Sequence, residues 1–290
     1  MRFATLLLAL LAQDQPTFRS DVALVHADVE VRDEHGPVDG LTKENFRIAD
    51  NGRLRNLVYF AHEEQPLDLI LLFDVSSSMR PVVARVAEAA HKALGELREG
   101  DRIAVMAFDS KTVLVADFSG DFEAVETSIG EVLQSRFTGL THIQGALGDS
   151  ALHFVEQRRA TARRAILIVT DDVGTKEQPD ALRQLWNADA VVVGVIVGGT
   201  ASHTMSIAHY VYMGMKNIAL KTGGDSIDTG DAAEGLHEMI HRLRERYSLY
   251  YALPQGASGE ERKIDVQLTR EAAAQHPHAV VTARTGYIMP

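Results

Sequence analysis

The sequence contains no cysteine. That absence excludes disulfides, thiol nucleophiles, iron–sulfur clusters and cysteine-based zinc sites. It leaves the compartment open, because an exported protein can fold without disulfides. Positive charge is scarce: 29 Lys and Arg face 40 Asp and Glu, a net charge of −11. A nucleic-acid binder needs a basic face to displace counterions, and docking on an anionic membrane surface needs the same. Neither is expected here. Long apolar runs are also missing. The run from Phe3 to Ala12 is too short to span a bilayer, and no other stretch approaches that length. There is no G-x-x-x-x-G-K-[ST], no strand-linked G-x-G-x-x-G and no G-x-S-x-G. Nucleotide binding and a hydrolase elbow therefore have no support.

What is present suits a globular chain with a full core: 46% hydrophobic and 24% charged residues. Arg2, the apolar run and small Ala12 have the layout of a secretory signal over residues 1–16, so the mature protein is expected to be secreted or periplasmic, with no membrane span. Residues 17–65 read as a β flank, with alternation over 21–35, a turn at His35-Gly36-Pro37 and an Asn51-Gly52 hairpin signal. From 66 to 247 the pattern changes. LDLILLFDV (67–75), RAILIVTDD (164–172) and DAVVVGVIVGG (189–199) are near-continuous apolar runs, as buried parallel strands require. Helical patterns separate them at 81–98, 121–134, 143–158, 179–187, 204–221 and 231–246. This predicts an α/β fold, a doubly wound and mostly parallel sheet. Residues 248–290 are β-rich again and are expected to pair with 17–65 as one small β domain.

The first buried strand ends in Asp74-Val75-Ser76-Ser77-Ser78, a D-x-S-x-S at the carboxyl edge, where open α/β sheets bind ligands. Thr141 precedes a helix in TGLTHIQGAL, and Asp171 ends the strand AILIVTDD. Asp74, Ser76, Ser78, Thr141 and Asp171 thus bring hard oxygen donors from three loops to one rim, suited to Mg²⁺, Mn²⁺ or Ca²⁺. D-x-S-x-S alone reads equally well as a helix cap.

Together these motifs resemble the metal-ion-dependent adhesion site of von Willebrand factor type A domains, over roughly 67–247. The flanks FRSDVALVHADVEVRDEHG, LTKENFRIADNG and RYSLYYALP…RKIDVQL…ARTGY are similar to the bacterial VWFA-related family first described from acidobacteria. The resemblance implies hydroxyl ligation by Ser76, Ser78 and Thr141, with Asp74 and Asp171 acting mainly through bound waters. An open coordination position then takes an Asp or Glu of a partner protein. It implies an adhesion or interaction module and no enzyme. One departure stands out: Asp172 occupies the place of the family's usual Gly. The charge of −11 would repel an acidic partner at long range, so the ion must attract locally.

His237-Glu238-Met239-Ile240-His241 is a formal H-E-x-x-H and supports a rival reading, a zinc metalloprotease. Against it, no Gly-x-x-His continuation follows, and the two His flank the apolar face of Leu236, Ile240 and Leu243. A third reading is a structural module of the same fold with no partner in trans. His203 and His209, six residues apart, share no helical face and read as surface residues. Gly198-Gly199 and Gly223-Gly224 read as turns or helix caps.

Overall fold

A computed structural model describes residues 23–62, 65–132, 134–136, 141–157, 159, 162–173, 180–197 and 215–290. The expected leader, Gly139, Leu140, Gly198-Gly199, His203, His209 and the first part of the helix expected from 204 lie outside the described residues.

The N-terminal flank is β throughout, as its alternation requires. β1 (Leu24–Asp33) turns at Gly36 into the two-residue β2 (Gly36–Pro37). β3 (Phe46–Asp50) and β4 (Arg53–Arg55) meet through Asn51 and Gly52, at φ 45° and 78°. An Asn-Gly pair supplies that geometry with little strain. β5 (Leu57–His62) completes the flank.

The central unit then alternates. Its elements are β6 (Leu67–Asp74), α1 (Arg80–Leu94), β7 (Arg102–Phe108), β8 (Thr112–Ser119), α2 (Phe122–Val132) and α3 (Ile143–Glu156). They continue as β9 (Arg163–Thr170), α4 (Ala181–Ala188), β10 (Ala190–Val197), α5 (Met215–Thr222), β11 (Ser226–Thr229) and α6 (Ala232–Arg244). The sheet order is β11-β10-β9-β6-β7-β8, parallel except for the β7–β8 hairpin. Period-two alternation splits β6 between two cores. Leu67, Leu69, Leu71 and Phe73 join α1, α2 and α6 on one face, while Ile70 and Leu72 join α3, α4 and α5 on the other. Both faces are covered, which is why the strands read as unbroken apolar runs. The strand order reverses between β6 and β9, so a crevice opens at their carboxyl ends.

The C-terminal flank adds β12 (Tyr247–Ala252), β13 (Glu261–Leu268), α7 (Arg270–Gln275), β14 (Val280–Ala283) and β15 (Gly286–Ile288). β1 lies between β12 and β14, and β3 pairs with β13. The two flanks thus form two sheets, β14-β1-β12-β5 and β15-β13-β3-β4, around one shared core. Two features differ from the pattern reading. The run 279–288 is two strands broken at Arg284-Thr285, where Arg284 turns away to bond Asp189 and the carbonyl of Trp186. And α7 interrupts the tail, started by the Thr269 hydroxyl, which accepts the Ala272 N–H.

The β unit sits at the amino ends of the central strands. Asp28 and Glu30 of β1 face Arg163, Arg242 and Arg246, all buried. Asp189, which caps α4 at φ 53°, accepts from His26 of β1 (2.8 Å) and from Arg284 of the tail (2.5 Å). Burial would raise the Asp189 pKa, but His26 and Arg284 outweigh it and hold it at about 2. A carboxyl held below its unfolded value stabilises above about pH 4 and loses that contribution as pH falls towards 2. Asp189→Asn is therefore expected to cost about 2 kcal/mol at pH 7 and nearly nothing at pH 2. Urea titrations of both proteins at the two pH values would show it, and an equal deficit at both would refute it.

Candidate metal centre

The residues singled out at the carboxyl edge are brought together by strand pairing. Asp74 ends β6 and is fully buried. β6 runs in register with β9, Phe73 opposite Val169, which places Thr170 beside Asp74. The Thr170 hydroxyl donates to Asp74 Oδ2 (2.7 Å), and the Ser76 N–H donates to Asp74 Oδ1 (2.8 Å). A short 3₁₀ turn (Ser77–Met79) then leads into α1. It brings Ser76 Oγ and Ser78 Oγ within 3.2 Å of each other, and Ser78 Oγ donates to Asp171 Oδ2 (2.6 Å). One hydrogen-bonded chain therefore links Asp74, Ser76, Ser78 and Asp171 across the switch point.

Thr141 is buried at the same edge. The next residue, His142, donates its N–H to the carbonyl of Asp109, and Val75 donates to the carbonyl of Phe108. Both loops thus hang from consecutive residues at the end of β7. Ser76 is not a cap, since its side chain makes no cap bond to the 3₁₀ turn it precedes.

Burial pushes the Asp74 carboxyl up to about 6; the bonds from Thr170 and Ser76 resist this, and the nearby Asp171 charge adds to it. Among the described residues no Lys or Arg forms an ion pair with Asp74, Asp171 or Asp172. A buried carboxylate costs several kcal/mol unless something compensates its charge. Oxygen-only donors around such a group fit a hard divalent cation.

Asp172 takes φ 55°, a left-handed conformation that explains why glycine suits this position. Its Oδ1 accepts the N–H of Met215 at the start of α5 (3.1 Å). Its pKa is raised by burial and by the charges of Asp171 and Asp228. This carboxylate serves α5 with one oxygen, a role hidden from the sequence because Met215 lies 43 residues on.

The H-E-x-x-H groups divide between two neighbours. His237 and His241 approach opposite oxygens of Glu96, at 3.7 and 3.8 Å. Glu238 pairs with Arg32 of β1 (3.3 Å). The general base required by the protease reading is thus turned towards an arginine of the β unit.

Residues 69–174 match the family model of the von Willebrand factor type A domain. A von Willebrand factor type A protein from Catenulispora acidiphila superposes with a TM-score of 0.51 at 12% identity, covering 94% of this chain and 75% of that one. Proximal thread matrix protein 1 from the mussel byssus gives 0.50 at 16% identity, covering 67% of this chain and 51% of that one. No curated protein matches by sequence. At these identities the structural likeness is one of fold.

Proposed function

This chain is a von Willebrand factor type A domain protein, and on that premise we propose that it is an exported, divalent-metal-dependent protein-binding module and not an enzyme. The observation that carries the reading is the fully buried Asp74, linked through Ser76 and Ser78 to Asp171, with no cationic side chain paired to either acid among the described residues. Asp74, Ser76, Ser78, Thr141 and Asp171 would hold Mg²⁺ or Mn²⁺. The ion supplies a Lewis-acidic position for a carboxylate of a partner protein. The chain's own residues orient that position: Thr170 and the Ser76 N–H fix both oxygens of Asp74, and β7 anchors the Thr141 loop. The secreted or periplasmic location rests on the layout of residues 1–16 alone.

Mn²⁺ binding by the full chain, followed by electron paramagnetic resonance, is expected to show one site that Asp171→Ala abolishes. Pull-downs from the source organism's envelope fraction should then recover a partner in Mg²⁺ and lose it in EDTA. Equal recovery in EDTA would sink the proposal. The short Ser78–Asp171 bond favours one alternative, a rim satisfied from within. Mg²⁺-dependent melting with no Mg²⁺-dependent capture would select that structural role.

A further inference from the structure

A second set of metal-ligating side chains lies at the other end of the central strands, where both connections cross between the two units. Tyr247, fully buried at the start of β12, assembles it. Its hydroxyl donates to the carbonyl of Val38 (2.7 Å) and accepts the N–H of Leu41 (3.3 Å), which pins the loop carrying Asp39. Its ring stacks on His62, its cross-strand partner at the end of β5, at 4.2 Å between centroids. Glu245 lies two residues before it, directly after α6. One ligand atom each of Asp39, His62 and Glu245 consequently falls within 4.8 Å of the others, the only such grouping among the described residues. Neither Asp39 nor Glu245 forms an ion pair with Lys or Arg among the described residues.

We propose that Asp39, His62 and Glu245 form a second metal site, of zinc class, that staples the β unit to the α/β unit. The donor set differs from that of the rim. One imidazole nitrogen with two carboxylates suits a borderline ion such as Zn²⁺, whereas the all-oxygen rim suits Mg²⁺. Zinc bonds of about 2.0–2.2 Å would need the three groups to close by roughly 1–2 Å, within the reach of an exposed loop residue such as Asp39. Three protein ligands leave a fourth position for water. The three residues come from far-separated parts of the chain, so the ion would tie both linkers, 62–67 and 244–247, to the turn after β2. This site does not depend on the rim, which lies roughly 20–25 Å away along β6 at about 3.3 Å per residue.

The test is calorimetric titration of the full EDTA-stripped chain with Zn²⁺ in excess Mg²⁺, so that the rim does not compete. One equivalent is expected to bind, raising the melting temperature. Glu245→Gln and Asp39→Asn should each weaken binding on the order of tenfold or more, and remove the thermal shift. Asp74→Ala and His237→Ala should leave it unchanged. Equal melting in EDTA establishes that a variant is folded; if Glu245→Gln is not, the exposed Asp39→Asn decides. Absence of a zinc equivalent, wild-type affinity in Asp39→Asn, or loss of binding in His237→Ala, which would move the ion to the Glu96 pair, would each overturn the site.

Discussion

Asp74→Asn is expected to stabilise the metal-free protein at neutral pH and to abolish its response to Mg²⁺. The Asp74 carboxyl is raised to about 6 in the fold, chiefly by burial. A raised acid does no harm while protonated in both states, below about pH 4. Its cost grows as pH rises through 4 to 6 and is constant above, reaching about 3 kcal/mol at 1.36 kcal/mol per unit. Asparagine removes that charge but must reorganise one of the two bonds, from Thr170 or Ser76, at about 1 kcal/mol. The net gain in EDTA at pH 7.5 should be about 1–2 kcal/mol, turning into a loss of about 1 kcal/mol below about pH 4. Ligand binding stabilises the wild type by RT ln(1 + [L]/Kd), so a hundredfold excess over Kd adds about 2.7 kcal/mol that the variant should lack. The order of stability therefore inverts when EDTA is replaced by Mg²⁺. Urea titrations of both proteins in both buffers would show it. If the variant kept the Mg²⁺ response, Asp74 would not belong to the ion's surroundings.

The parts of this molecule legible in its sequence are those whose signal is contiguous. LDLILLF reads as a two-faced buried strand because all of its apolar residues face one of two cores, and DVSSS follows it directly. Asp171 is read the same way, from its place at the end of RAILIVT. The family model and the fold comparisons agree with the α/β reading, and strands of the two flanks pair with one another. What stayed hidden is long-range. HADVEVRD looks like a strand with one polar face turned to water. In fact Val25, Ala27, Val29 and Val31 fill the β core while Asp28 and Glu30 are buried against the central unit. Their arginines lie more than 130 residues away, in RRAIL and HRLRER. A further signal was present but weak: three arginines crowd the end of a helix whose neighbours are apolar. Asp50 is similar, fully buried beneath Arg262, Tyr251 and Tyr287. Asp39, His62 and Glu245 meet only because Tyr247 gathers them, and no spacing rule spans such separations.

Glu30→Gln should be strongly destabilising, while leaving metal affinity intact. Glu30 accepts from Arg242 through both oxygens (2.7 and 3.1 Å) and from Arg246 (3.3 Å), with all three side chains buried. Four acids, Asp28, Glu30, Asp225 and Glu238, face four arginines, Arg32, Arg163, Arg242 and Arg246. The cluster is neutral as it stands, and removing one carboxylate strands a buried positive charge. Such a loss typically costs about 3–5 kcal/mol, much of it the penalty on the arginine left behind. Glu30→Leu with Arg242→Met should accordingly cost clearly less than the two single changes added together. The cluster also joins the two units, so weakening it should split one urea transition into two as the β unit lets go. The contacts Arg163, Asp189 and Asp225 all lie at the amino ends of β9, β10 and β11, whereas Asp74 and Asp171 lie at the carboxyl edge. Mn²⁺ titration of Glu30→Gln below its first transition should therefore match wild type. A parallel loss of stability and metal affinity would mean that the two ends of the sheet are coupled, and that the β unit helps to set the rim.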